Sequence, residues 1–195
     1  KAEWIAEARA LRLLSYYHAI DLFGNVPFFT EENSVGSEGP KQVSRAWLWD
    51  WMVGECNELI EGSDLKDAKA TEYGRINKES VQMILAKLYL NAEVWKGEDH
   101  YEDCAAICQA LKAKFPALHA NYLDLFSADN HKCVISSTYP GTEIFFAVPQ
   151  DGVNIRSYGA TNYIIFASTG GDMDAAGDMG ISSGWGGLTL TKAFV

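Results

Sequence analysis

The chain has 195 residues, 48% of them hydrophobic, and a formal net charge of −10. That length and apolar share support one substantial core and exclude a disordered chain. The acidic balance argues against a nucleic-acid partner, because phosphates are held by clustered Lys and Arg that replace counterions.

No run of about eighteen apolar residues occurs, and Lys1 leads at once into an amphipathic pattern, so no segment reads as a membrane span or a signal peptide. The cysteines Cys56, Cys104, Cys108 and Cys133 are too few and too scattered for a disulfide scaffold and leave the redox compartment open. With no starting methionine and an open-ended "LTLTKAFV" at its close, the chain reads as a piece of something longer.

Residues 1–23 read as a first helix, stopped by Gly24, Asn25 and Pro27. Its polar positions Arg9, Arg12, Ser15, His18 and Asp21 step by three, so each falls about 60° short of a full turn and the polar stripe winds around the axis. Such a helix is expected to be covered on almost every side. Arg9 and Arg12 then need carboxylates or carbonyls, since an unpaired buried charge costs several kcal/mol.

The stretch "EENSVGSEGPKQV" is a loop by composition. Ser44 then caps a second helix that places Leu48, Trp51, Met52, Glu55 and Leu59 on one face, with Glu55 set to pair with a buried arginine. Trp47 and Trp51 share that face and are expected in the core, as are Trp4 and Trp95 at helix ends. Trp49 falls off the face and is left for a missing segment or a partner protein.

A third helix is predicted from about Lys78 to Trp95, with the stripe Val81, Ile84, Leu85, Leu88 and Ala92. A fourth follows, with Tyr101, Cys104, Ala105, Cys108, Leu111 and Phe115 on its apolar face. Helical hairpins that cannot bury their faces alone are the sequence signature of tetratricopeptide-like stacks. The fold class is therefore mainly α.

Past residue 126 the composition changes. Ten of the 17 glycines lie in residues 141–195, and "TEIFFAV" is the one strand-like or buried extended run. The rest of this part reads as long irregular segments rich in glycine and aromatics, the kind of loop where binding resides. The reading is of tetratricopeptide-like repeats over 1–126 and a loop-rich capping and ligand-binding region over 127–195, within a single domain.

The opening stretch "EARALRLLSYYHAIDLFGNVPFF" resembles the first repeat helix of SusD/RagB-type outer-membrane nutrient-binding lipoproteins through Glu7, Ala8, Arg9, Leu11, Arg12, Tyr16, Tyr17, Phe23, Gly24, Val26 and Pro27. "YGRINKESVQMILAKLYLNAEVW", "NYLDLF" and "TEIFFAV" continue the family order. "SYGATNY" and "GWGGLTLTKAFV" look like the loops of members nearest the starch-binding type. Asn25 stands where the family often has aspartate. Members of the family are longer, with a lipidated N-terminal cysteine.

The resemblance implies non-catalytic capture of an oligosaccharide or polysaccharide at the outer-membrane cell surface and its delivery to a SusC-like TonB-dependent transporter. It implies no cofactor, no nucleic acid, and membrane attachment only through a lipid anchor absent from this chain.

Sugar recognition needs aromatic rings for the apolar C–H faces of a pyranose and planar polar groups for its hydroxyls. The candidates are Asn154, Arg156, Tyr158, Asn162 and Tyr163 in "QDGVNIRSYGATNY" and Trp185 in "SSGWGG", where the neighbouring glycines would let a ligand approach the backbone. The alternative makes Tyr158, Tyr163 and Trp185 rings that seal the capping region onto the helices.

A glycosidase would need two carboxylates about 5–9.5 Å apart across a cleft, and the spacing of Glu143, Asp151, Asp172, Asp174 and Asp178 places no two opposite one another. No catalytic residue is assigned. "GGDMDAAGD" has oxygen ligands for calcium but lacks a closing glutamate. His100, Cys104 and Cys108 recur every four residues, yet the cysteines read better as small buried hydrophobes than as ligands, and no metal site is assigned. A protein-binding scaffold and a glycoside hydrolase stand as the rival functions.

Overall fold

The computed structural model describes residues 1–33, 36, 38–150, 154 and 160–193, with side chains described at all of these except 160–162. Two compact units form, residues 1–148 and 149–195. The first is built from α1 (Ala2–Phe23), α2 (Arg45–Glu61), α3 (Lys78–Leu90), a short α4 (Ala92–Lys96) and α5 (Tyr101–Lys114). Helix α1 packs on α2, α2 on α3, and α3 on α5, giving a mainly α stack of tetratricopeptide-like hairpins. No described helix is long and apolar enough to cross a membrane.

The core follows from helical spacing. Ala6, Ala10, Leu13 and Ile20 line the buried face of α1, and the two alanines allow α2 to approach closely. Leu48, Met52, Cys56 and Leu59 of α2 and Val81, Leu85 and Leu88 of α3 complete the same cluster. Burying each Leu or Met from water is worth roughly 1.5–3 kcal/mol.

Helix α1 ends at Gly24, whose φ of +74° suits glycine and whose added Cβ would meet the Arg45 guanidinium at 2.7 Å. Asn25 Oδ1 accepts the Arg45 N–H at 2.8 Å, so either Asn or Asp serves this turn. The Tyr16 hydroxyl accepts from the Phe29 N–H at 2.7 Å and ties the returning chain to α1. There β1 (Val26–Pro27) pairs antiparallel with β2 (Gln42–Val43), a short ribbon the sequence pattern does not announce.

Ser44 caps α2 as expected, accepting the Trp47 N–H at 3.3 Å. Arg9 and Arg12 meet carboxylates as expected. Glu55 accepts from Arg9 Nε at 2.9 Å and Nη2 at 2.6 Å, and from Arg12 Nη2 at 3.1 Å. Glu58 also takes Arg9, and Glu31 pairs with Arg12. Asn77 caps α3 through Ser80, and its Nδ2 donates to the Phe145 carbonyl at 2.7 Å. The fully buried Glu79 accepts from the Ala68 N–H at 2.7 Å and Lys114 Nζ at 2.5 Å.

Several expectations are corrected. Helix α1 is not covered on every side, because Trp4, Leu11, Leu22 and Phe23 are exposed along it. Trp4 and Trp47 are therefore not core residues, whereas Trp95 is buried. Trp49 is not free for a partner. It is buried, and its Nε1 donates at 2.8 Å to the Leu88 carbonyl, one of the last carbonyls of α3 that lacks a partner within the helix.

The helix read as continuous from Lys78 to Trp95 ends at Leu90 and restarts at Ala92. On α5 Leu111 is buried and Cys104 half-buried as expected, with Phe115 half-buried at its end, while Tyr101, Ala105 and Cys108 are exposed and Ile107 takes their place on the inward stripe. "TEIFFAV" is the extended, half-buried run, joined to the preceding chain by a parallel bridge between Val134 and Ile144.

Candidate functional site

The second unit holds α6 (Ala160–Ser168), a helix in a stretch read as irregular. The last carbonyls of α6 have no partners inside the helix. The segment around Trp185 supplies them: the Trp185 N–H donates to the Phe166 carbonyl at 2.7 Å, and the Gly187 and Leu188 N–H groups donate to Ala167 at 2.8 and 2.9 Å.

This close approach explains the glycines. A Cβ at Gly184 would lie 2.0 Å from the Thr169 oxygen, and one at Gly186's neighbour Gly170 would lie 2.8 Å from the Gly186 Cα. The glycines at 184 and 186 thus admit the chain's own helix end rather than a ligand to the backbone, which corrects the sequence reading of "SSGWGG".

The result is a fixed aromatic surface. The ring of Trp185 lies 6.0 Å from Tyr163 at 65° and 5.3 Å from Phe166 at 34°. Tyr163 and Trp185 are each 49% exposed. A ring whose backbone is tied to a helix end, as at Trp185, and a ring carried on the helix itself, as at Tyr163, lose little backbone freedom when a ligand lands on them, and offset aromatic faces accept apolar C–H surfaces.

Of the six candidate glycan contacts, Tyr163 and Trp185 come together here. Asn154 is exposed. Arg156 and Tyr158 lie outside the described residues, as does the side chain of Asn162.

Among the groups considered for other chemistry, Asp174, Glu143 and His100 have structural partners, and Asp151 lies outside the described residues. Asp174 Oδ1 accepts from the Ala176 and Gly177 N–H groups at 3.1 and 2.9 Å, closing a turn. Glu143 accepts the His119 N–H at 2.9 Å. His100 stacks on Tyr89 at 5.3 Å, and its Nδ1 meets Asp103 at 2.7 Å. Among the described residues, no three His, Cys, Asp or Glu side chains gather as metal ligands.

One cluster escaped the sequence reading. Cys133 Sγ lies 3.6 Å from His119 Nε2, which is itself 3.3 Å from Asp124. Its three members are separated by loops, and nothing in their spacing signals the encounter. The thiol is buried, and burial together with the nearby Asp124 carboxylate pushes its pKa up, which keeps it protonated and poorly nucleophilic. The same His119 nitrogen faces both the acid and the thiol, so the order of a nucleophile–base–acid relay is missing.

No family model matches the chain. It is similar to the starch-binding protein SusD of Bacteroides thetaiotaomicron, with 30% identity over 190 residues that make up 97% of this chain and 32% of that protein. A SusD-like carbohydrate-binding protein of Bacteroides fragilis superposes with a TM-score of 0.56 at 24% identity, covering 74% of this chain and 26% of the other.

Nearly the whole chain is similar to a stretch of SusD.

A further solved structure, surface glycan-binding protein A of Bacteroides thetaiotaomicron in complex with laminarihexaose, superposes with a TM-score of 0.50 at 23% identity, over 65% of this chain and 25% of that one. At these identities the superpositions speak for the fold. The chain spans about a third of the length of the curated relative it matches.

Proposed function

We propose that the chain binds oligosaccharide without transforming it, using Trp185 and Tyr163 as the ring platform. Asn154, Arg156, Tyr158 and Asn162 are proposed as the polar and further aromatic contacts to the sugar. The observation that carries this reading is the half-exposed Tyr163–Trp185 pair, locked edge to face on the end of α6. Its support from outside the chain is the similarity to a starch-binding protein and to solved carbohydrate-binding proteins. In this reading residues 1–126 form the scaffold and 127–195 the ligand-binding region.

The same reading places the protein at the outer-membrane surface, held by a lipid anchor outside these residues, and has it pass its ligand to a SusC-like TonB-dependent transporter. Starch-type glucans are the first ligand class to test. Isothermal titration with maltoheptaose is expected to show saturable binding, with Trp185→Ala weakening the affinity of the ring platform at least about tenfold, the loss typical of a tryptophan at a binding centre. Maltoheptaose incubated with the protein is expected to stay intact by chromatography. Release of shorter sugars would make it a hydrolase.

A protein-binding scaffold is the second reading, favoured by the exposed row Trp4, Leu11 and Leu22 on α1. It predicts unchanged sugar titrations in Trp185→Ala.

A further inference from the structure

A cavity of about 490 Å³ opens in the helical unit, between α1, α2 and the turn that follows α1. Its volume falls within the roughly 300–1,000 Å³ of small-molecule sites. One wall is aromatic: Phe28 meets Trp47 at 4.9 Å and Trp51 at 4.8 Å, both edge to face. The floor is the planar array in which Arg9 and Arg12 share the buried Glu55. The Arg12 guanidinium sits 5.5 Å over the Trp51 ring and occupies that face. Trp47 is 46% exposed and leaves ring surface open to a ligand.

The charges narrow the ligand class. Glu31, Glu32, Glu55 and Glu58 line the cavity against Arg9 and Arg12, four acids to two bases, which leaves two surplus negative charges. An anion is repelled by that surplus. A cation would reach a floor already held by two guanidinium groups, whose nearest carboxylate is committed to them. A neutral ligand rich in hydroxyls meets neither obstacle, because it finds carboxylate lone pairs and guanidinium N–H groups side by side, fixed by their mutual pairing. The open Trp47 ring takes the C–H face of such a ligand.

We infer that this cavity is a second carbohydrate-binding site, separate from the Tyr163–Trp185 platform, with Trp47 as its stacking ring and the Arg9–Glu55–Arg12 array binding hydroxyls. The inference rests on the reading of the chain as a glycan binder.

The test is isothermal titration of the 195-residue chain and its Trp47→Ala, Trp47→Phe and Trp185→Ala variants with maltoheptaose and laminarihexaose, each variant first checked by thermal melting. Two sites are expected in the unaltered chain. Trp47→Ala is expected to weaken one of them about tenfold or more while Trp47→Phe, which keeps a ring, retains most of the affinity. Trp185→Ala is expected to remove only the other.

A Trp47→Ala isotherm identical to that of the unaltered chain, with Trp185→Ala abolishing all heat, overturns the second site and leaves the proposed function standing. No heat with either sugar in any form overturns both. Spermine heat that vanishes in Trp47→Ala would make the cavity a cation site and overturn the assignment to carbohydrate.

Discussion

Glu55 shows how one residue can decide the packing of two helices. A carboxylate this deeply buried is tolerable only when its lone pairs are taken by charged donors, and here two guanidinium groups from α1 take them. Arg9→Met removes the bidentate partner and leaves Arg12 alone at 3.1 Å, so a loss of about 2–4 kcal/mol in urea denaturation is expected. An unchanged midpoint would show that the pairing is incidental.

The thiols give a second test at this scale. Burial raises the Cys56 and Cys104 pKa values, helped by Glu55 in the first case and Cys108 in the second. Iodoacetamide at neutral pH is expected to label exposed Cys108 first and Cys56 only after unfolding. Early labelling of Cys56 would contradict the packing of α2.

Asp129 provides the pH-dependent case. Hydrogen bonds from Lys132 and Ser127 hold its carboxyl down at about 2. A depressed folded pKa means the pair stabilises at pH above the ordinary carboxylate value near 4, and the contribution fades as pH falls toward about 2. Carboxyl-detected NMR titration reads this directly, and a midpoint near 4 would remove the pair.

At the scale of elements, caps carry more weight than propensity. Asn77 both starts α3 and holds the extended run through the Phe145 carbonyl, so it joins two segments 68 residues apart. Asn77→Ala is expected to cost about 1–3 kcal/mol, because it removes a cap and leaves the half-buried Phe145 carbonyl without this donor. Hydrogen exchange should quicken in both α3 and residues 143–147. Faster exchange in α3 alone would show that the run is held by its apolar packing.

Elements with a strong period and a recognisable stop were legible in the sequence. Helix α1 ends at its glycine, α2 begins at Ser44, and the α3 stripe is buried as its spacing demands. The misread elements share a physical cause. Helix α2 packs against both α1 and α3, so two faces are apolar and Trp49, off the stripe facing one neighbour, is buried by the other. Helix α6 is short and set among glycines, and its stability comes from the later segment that binds its last carbonyls, a long-range contact no local pattern contains.

For the molecule as a whole, the fold was more legible than the site. The order of motifs along the chain carried the SusD-like architecture, and the pairing of Arg9 with Glu55 followed from the cost of burying charge. The site depended on which glycines serve the chain and which serve a ligand, and only the approach of Gly184 to Thr169 separates the two. Tyr163 and Trp185 were legible as residue types. Their juxtaposition required α6.

The most direct test of the account follows the tryptophan indole N–H signals by NMR as maltoheptaose is added. The Trp185 signal is expected to move saturably while those of the buried Trp49 and Trp95 stay in place. A Trp185 signal that does not move while the sugar binds elsewhere, or at no concentration moves at all, would contradict the claim that this ring is the protein's carbohydrate platform.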